Sequence, residues 1–131
     1  MSTLIRPEVS KNNPYYISKH RYYELKHFCL QYREWKDTYI SINNITNKDK
    51  TFEYIDPTCN LAIIKEECQR NMKLVEDTAM ESDSALGKYI LKAVTEDVAY
   101  TYLRTVLDMP CGKDMFYDRY RRFYWLLDRS R

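Results

Sequence analysis

Leu25, Phe28, Tyr32, Trp35, Tyr39 and Ile42 recur at alternating spacings of 3 and 4 residues. Only an α-helix gathers residues at those intervals on one face; a strand would scatter them over both. Ser18 can accept amide hydrogens of the first turn, so the pattern predicts a helix over 19–42. Tyr22 and Cys29 widen its stripe. A heptad stripe of this length suits a dimeric coiled coil, which keeps a homodimer open. Its aromatic rather than Leu/Ile make-up favours burial against a second long helix of the same chain.

Asp56-Pro57-Thr58 announces that second helix, a cap followed by proline in the first turn. It is predicted over 57–81, with Leu61, Ile64, Cys68, Met72, Val75 and Ala79 inward and Glu66, Glu67, Glu76, Asp77 and Glu81 outward. Residues 43–55 are rich in Asn, Asp, Thr and Lys and read as a surface loop, with a short extended piece at Thr51–Ile55. Asp83 caps a shorter helix over 84–93, with Leu86, Tyr89, Ile90 and Ala93 inward. Two glycines and four prolines leave little material for β-turns. The expected fold is therefore all-α. Residues 1–14 form a flexible N-terminal arm, 15–81 a long antiparallel helical hairpin, and 82–131 a compact three-helix unit.

The last third of the chain reads as two helices around a tight break. Thr95 is placed as an N-cap, with Glu96 and Asp97 in the first turn, where negative charge suits the helix dipole. Val98, Tyr102, Leu103, Val106 and Leu107 fall on adjacent helical faces. Asp108-Met109-Pro110-Cys111-Gly112 then interrupts, because Pro110 lacks an N–H and pushes Met109 out of the helical region. A further helix starts near Gly112 or Lys113, with Phe116, Tyr120, Phe123 and Leu127 as its apolar stripe. Its opposite face carries Tyr117, Asp118, Arg121, Arg122 and, nearby, Arg119. A helix, a turn and a second helix with a basic outer face are the parts of a helix-turn-helix, whose second helix enters the DNA major groove.

Several chemistries are excluded. Two glycines cannot build a phosphate-binding loop, and neither a nucleophile elbow nor H-E-x-x-H occurs. Cys29, Cys59, Cys68 and Cys111 form no C-x-x-C pair, and with only His20 and His27 no zinc spacing arises. No catalytic residue, metal or cofactor is expected, and the chain is read as a non-enzyme. It shows no signal segment and no stretch of membrane-spanning length, which points to a cytoplasmic protein with reduced thiols. The net charge of +2 selects no partner by itself, but positive charge collects in residues 1–50 and 113–131. The 13 tyrosines suit either the edge of a bulky core or a recognition surface.

The run Leu107-Asp108-Met109-Pro110-Cys111-Gly112-Lys113-Asp114-Met115-Phe116-Tyr117, followed by Arg119-Tyr120-Arg121-Arg122, resembles the end of phage and prophage late-transcription regulators of the ArpU/RinA type. Their second half is similar to the region-four domain of sigma factors. Asp56-Pro57-Thr58 resembles the entry to their connecting helix, so the likeness covers roughly 56–131. The block ISKHRYYELKHFCLQYREWK resembles proteins of gut Firmicutes and their mobile elements, a likeness that brings no activity with it. The resemblance implies a mobile-element protein with a sigma-like helix-turn-helix. By position, Gly112 stands where the family usually has a Ser cap, Lys113 at the first basic contact, Phe116 at the core aromatic, Tyr117 at its exposed neighbour, and Arg121 and Arg122 in the basic run. Asp114 and Asp118 depart from the pattern. A carboxylate there can accept from a cytosine amino group but repels a phosphate.

Two functions follow as expectations. The first is a DNA-binding transcription regulator acting on double-stranded DNA in the bacterial host cell. Lys113, Met115, Tyr117, Asp118 and Arg121 or Arg122 would face bases, with Arg119, Arg129 and Arg131 on phosphates. The second is a phage-encoded protein that binds a host protein or nucleoprotein complex. Examples are an anti-CRISPR inhibitor of a host nuclease and a polymerase-binding factor. Its contact surface would be the outer face of the first helix, Arg21, Tyr23 and Lys26, together with the loop 43–55.

Overall fold

A computed structural model describes residues 11–48 and 60–131, and all regular structure among them is helical. Six helices follow in order: α1 Lys19–Leu30, α2 Tyr32–Lys48, α3 Leu61–Ser82, α4 Gly87–Glu96, α5 Tyr100–Thr105 and α6 Lys113–Ser130. Ser18 caps α1 as its position predicts, accepting the Arg21 N–H.

The helix expected over 19–42 is two helices. It breaks at Gln31, whose N–H reaches back to the Phe28 carbonyl at 3.2 Å, a tighter turn than the α-helix makes. The break coincides with a change of partner. α1 packs on α4 and α6, whereas α2 lies along α3. Tyr32 hydrogen-bonds Glu76, and Lys65 lies over the ring of Tyr39, so α2 and α3 run antiparallel. The aromatic stripe is otherwise used as its spacing predicts: Leu25, Phe28, Trp35 and Ile42 are buried, and Tyr32 and Tyr39 are half-buried against the core. α2 continues to Lys48, so the first part of the expected loop 43–55 is helical. The rest of it, with Thr51–Ile55 and Asp56-Pro57-Thr58, lies outside the described residues.

α3 starts later than expected, behind Asn60, whose side chain accepts the Ile63 N–H. Cys68, Val75 and Ala79 are buried, but Ile64, expected inward, is exposed. Gly87 brings the start of α4 against the end of α3: a Cβ there would meet the Met80 Cα at 3.1 Å and the Ala79 carbonyl at 3.3 Å. α4 begins three residues beyond the expected start and runs past the expected end at 93.

This overturns the reading of Thr95 as a cap. Thr95 is buried in the last turn of α4 and donates to the Leu91 carbonyl. α4 ends at Asp97, which takes a left-handed conformation at φ 55°. The helix expected to begin at Thr95 is therefore the short α5, which starts behind Ala99 with no side-chain cap. Tyr102 and Val106, expected to pack, are exposed, while Leu103 is fully buried.

α6 supplies much of the core. Phe116, Tyr120, Phe123 and Leu127 are buried as their spacing predicts, and Tyr117 and Tyr124 join them. The Tyr22 and Tyr120 hydroxyls, both buried, share a hydrogen bond of 2.8 Å, so these polar atoms enter the core satisfied.

Candidate nucleic-acid interface

The segment between α5 and α6 is fixed by its own hydrogen bonds. Asp108 takes φ 58°, a left-handed conformation that Asp tolerates better than most residues. That reversal lets the Met109 N–H reach the Leu103 carbonyl at 3.0 Å and drops the Met109 side chain into the core. Arg104 Nη1 donates to the Met109 carbonyl at 2.9 Å, and the Tyr100 hydroxyl donates to the Cys111 carbonyl at 3.2 Å. The Tyr100 ring meets Phe116 and Tyr117, so α5 is tied to α6 by both backbone and rings.

Gly112 caps α6 without a side-chain hydrogen bond. Gly112, Lys113, Asp114 and Met115 are all exposed, and Met115 shows 44% of its surface. From Phe116 to Asp128 no residue of α6 is exposed. On α5 the exposed residues are Thr101, Tyr102, Arg104 and Thr105. The solvent-facing part of this corner is thus α5, the turn and the first turn of α6.

The residues singled out for DNA contact separate into groups. Lys113 and Met115 project into solvent as expected. Tyr117, expected to be exposed, is 3% exposed. It sits on the flank of the apolar stripe, where Tyr100 covers it, and burial raises its hydroxyl pKa. Asp118 is half-buried and paired with Arg119. Arg119, expected on a phosphate, also donates from Nε to Asp83 at 2.8 Å, and that bond raises its pKa further. It links α6 to the α3–α4 turn instead. Arg121 is half-buried, and its Nε is buried with no hydrogen-bond partner among the described residues. Arg122 lies over the Tyr15 ring, and its Nη1 donates to the Tyr15 hydroxyl at 3.4 Å.

The partner-binding face proposed on α1 is largely taken up by the fold. Arg21 Nε bonds Asp128 near the end of α6 at 2.6 Å. Lys26 pairs with Asp97 at the end of α4 at 3.5 Å. Tyr23 is half-buried, its ring beside Tyr22 at 5.2 Å. The three residues lie near one another as predicted, but their charges are answered within the chain.

Sequence reasoning missed Tyr15 and Trp125. Their rings meet at 5.6 Å, and Arg129 lies 4.6 Å over Trp125. Tyr15 belongs to no periodic stretch. The one available signal was the Asn13-Pro14 turn, in which the Asn13 side chain accepts the Tyr15 N–H at 2.8 Å. Among the described residues no group of His, Cys, Asp or Glu could hold a metal ion, and no helix is long and apolar enough to cross a membrane. No family model, curated protein or solved structure matches the chain.

Proposed function

We propose that this chain is a DNA-binding transcription regulator of a mobile element, acting in the cytoplasm of its bacterial host without enzymatic activity. In this reading α5, the turn and α6 form the helix-turn-helix at the end of a helical hairpin. The observation that carries it is that Gly112–Met115, which open α6 beside a rigidly bonded turn, are exposed, whereas Phe116–Asp128 are not. A recognition helix reads bases with its N-terminal residues, and on α6 these are exposed. Lys113 can donate to the O6 and N7 acceptors of guanine, Asp114 can accept from the cytosine amino group, and Met115 can pack on a thymine methyl. Thr101, Arg104 and Thr105 on α5 face the backbone. Tyr117 and Arg119 have no part in the contact.

The test is fluorescence anisotropy on duplexes selected from a random pool. Lys113→Ala is expected to weaken the selected duplex about tenfold or more and to relax the preference at one base pair. Failure to select any sequence, with no retention on random duplex DNA at low salt, would overturn the reading.

A second reading, a protein that binds and inhibits a host machine such as a nuclease, draws on exposed isoleucines. Ile63 shows 59% of its surface and Ile40 shows 47%, on the two helices of the α2–α3 pair. Pull-down from host lysate that is lost in Ile63→Asp but kept in Lys113→Ala would favour it.

A further inference from the structure

A cleft of about 400 Å³ opens between the α3–α4 turn and α6, lined by Tyr15, Ser82, Asp83, Ser84, Arg119 and Arg122. Three separate stretches of chain meet there, and nearly every side chain lining it is polar or charged. We propose that this cleft binds a phosphoryl group, held by Arg122 from one side and by the Ser84 and Tyr15 hydroxyls from the other.

The lining argues for an anion. Asp83 is its single acid, and its charge is already answered by Arg119 and by the N–H groups of Ala85 and Leu86 at 2.8 and 3.0 Å. Ser82 is turned away, its hydroxyl donating to the Ala79 carbonyl. Arg122, by contrast, has no carboxylate partner among the described residues; its hydrogen bond is the 3.4 Å contact with the Tyr15 hydroxyl. Stacking near the Tyr15 ring, with 5.9 Å between the guanidinium carbon and the ring centre, limits where that guanidinium can go. Its remaining N–H donors keep the fork geometry that matches phosphate oxygens. A carboxylate offers two oxygens in one plane. Donors arriving from three elements suit the tetrahedral array of a phosphoryl group better.

The placement also fits a backbone phosphate of DNA. Arg122 follows Met115 by seven residues, two helical turns, so both lie on one row of α6, about 10 Å apart. The major groove is about 12 Å wide. With Met115 at the bases, Arg122 reaches the groove wall. The proposal rests on the DNA reading only for this source of the phosphoryl group; a free phosphorylated ligand is the other source.

The experiment is an amide NMR titration of the full chain with sodium phosphate, against sodium chloride at equal ionic strength. Saturable shifts at Tyr15, Ser84 and Arg122 are expected with phosphate, and their loss in Arg122→Gln. Ser84→Ala, an exposed position, is expected to weaken binding several-fold and serves as a second variant should Arg122→Gln unfold. In the DNA arm, a salt slope flattened by about one unit in Arg122→Gln identifies the backbone as the source. Phosphate saturation with an unchanged slope assigns the cleft to a free phosphoryl ligand. Phosphate saturation with no DNA binding at all sinks the helix-turn-helix reading and leaves the cleft standing. Absence of saturable shifts together with an unchanged slope overturns the proposal.

Discussion

Asp83 joins three parts of the chain through one carboxylate. It accepts from Arg119 of α6 and from the two amide groups that open the turn into α4. Burial alone would raise its pKa, but the Arg119 hydrogen bond and the Leu86 and Ala85 N–H groups outweigh burial and hold it below the usual aspartate value. The folded state therefore binds this proton less tightly than the unfolded chain. Its stabilisation is complete above about pH 4 and is lost as pH falls through the folded value. Asp83→Asn is expected to cost about 1–3 kcal/mol at neutral pH and less in acid, read from urea midpoints at both ends of the range. Gly112 offers the opposite opportunity. Its φ of −81° needs no glycine, and a Cβ there would meet nothing within 4 Å among the described residues. Gly112→Ser is expected to supply the missing cap hydrogen bond and stabilise by a few tenths of a kcal/mol, seen as a small rise in Tm.

Among the elements, α6 was the most legible and the stretch from Thr95 to Val106 the least. Phe116, Tyr120, Phe123 and Leu127 repeat at helical spacing after an unambiguous stop at Pro110, and all four are buried. Phe123→Ala is expected to destabilise by about 3–5 kcal/mol, because it leaves a cavity within the central stripe. A chemical-denaturation midpoint near that of the wild type would contradict its position. Tyr117 was misassigned because a stripe read from four residues has no stated width, and the flank it occupies is closed by Tyr100 from another helix. The break at Gln31 had no local signal either: neither Gly nor Pro is near, and its cause is the exchange of α6 for α3 as packing partner. Thr95 is a good cap by type, yet Asp97 can take the left-handed conformation that ends α4, and tertiary packing chose that. Lys113 and Met115, exposed in the candidate interface, were legible because they precede Phe116, the first residue of the apolar stripe. The cleft around Arg122 was not, since Tyr15, Ser84 and Arg122 come together only through the fold.

Across the whole molecule, the first and last described helices are bound to each other. Arg21 meets Asp128, the Tyr22 and Tyr120 hydroxyls bond, and Arg131 lies over the Phe28 ring. The double variant Arg21→Ala with Tyr23→Ala is thus expected to lose about 1–3 kcal/mol rather than behave as a surface change, with part-buried packing contributing more than the half-exposed ion pair. Equilibrium denaturation would show it. The same adjacency sets an order of events in time. Phe116, Tyr120, Phe123, Tyr124 and Leu127, which fill the centre, are made after every residue they pack against in α1, α3 and α4. At about 5–20 residues per second, the growing chain holds those faces open until α6 has been synthesised. A message stopped at the codon for Gly112 is therefore expected to yield a polypeptide cleared by proteases, while the full message yields a stable one.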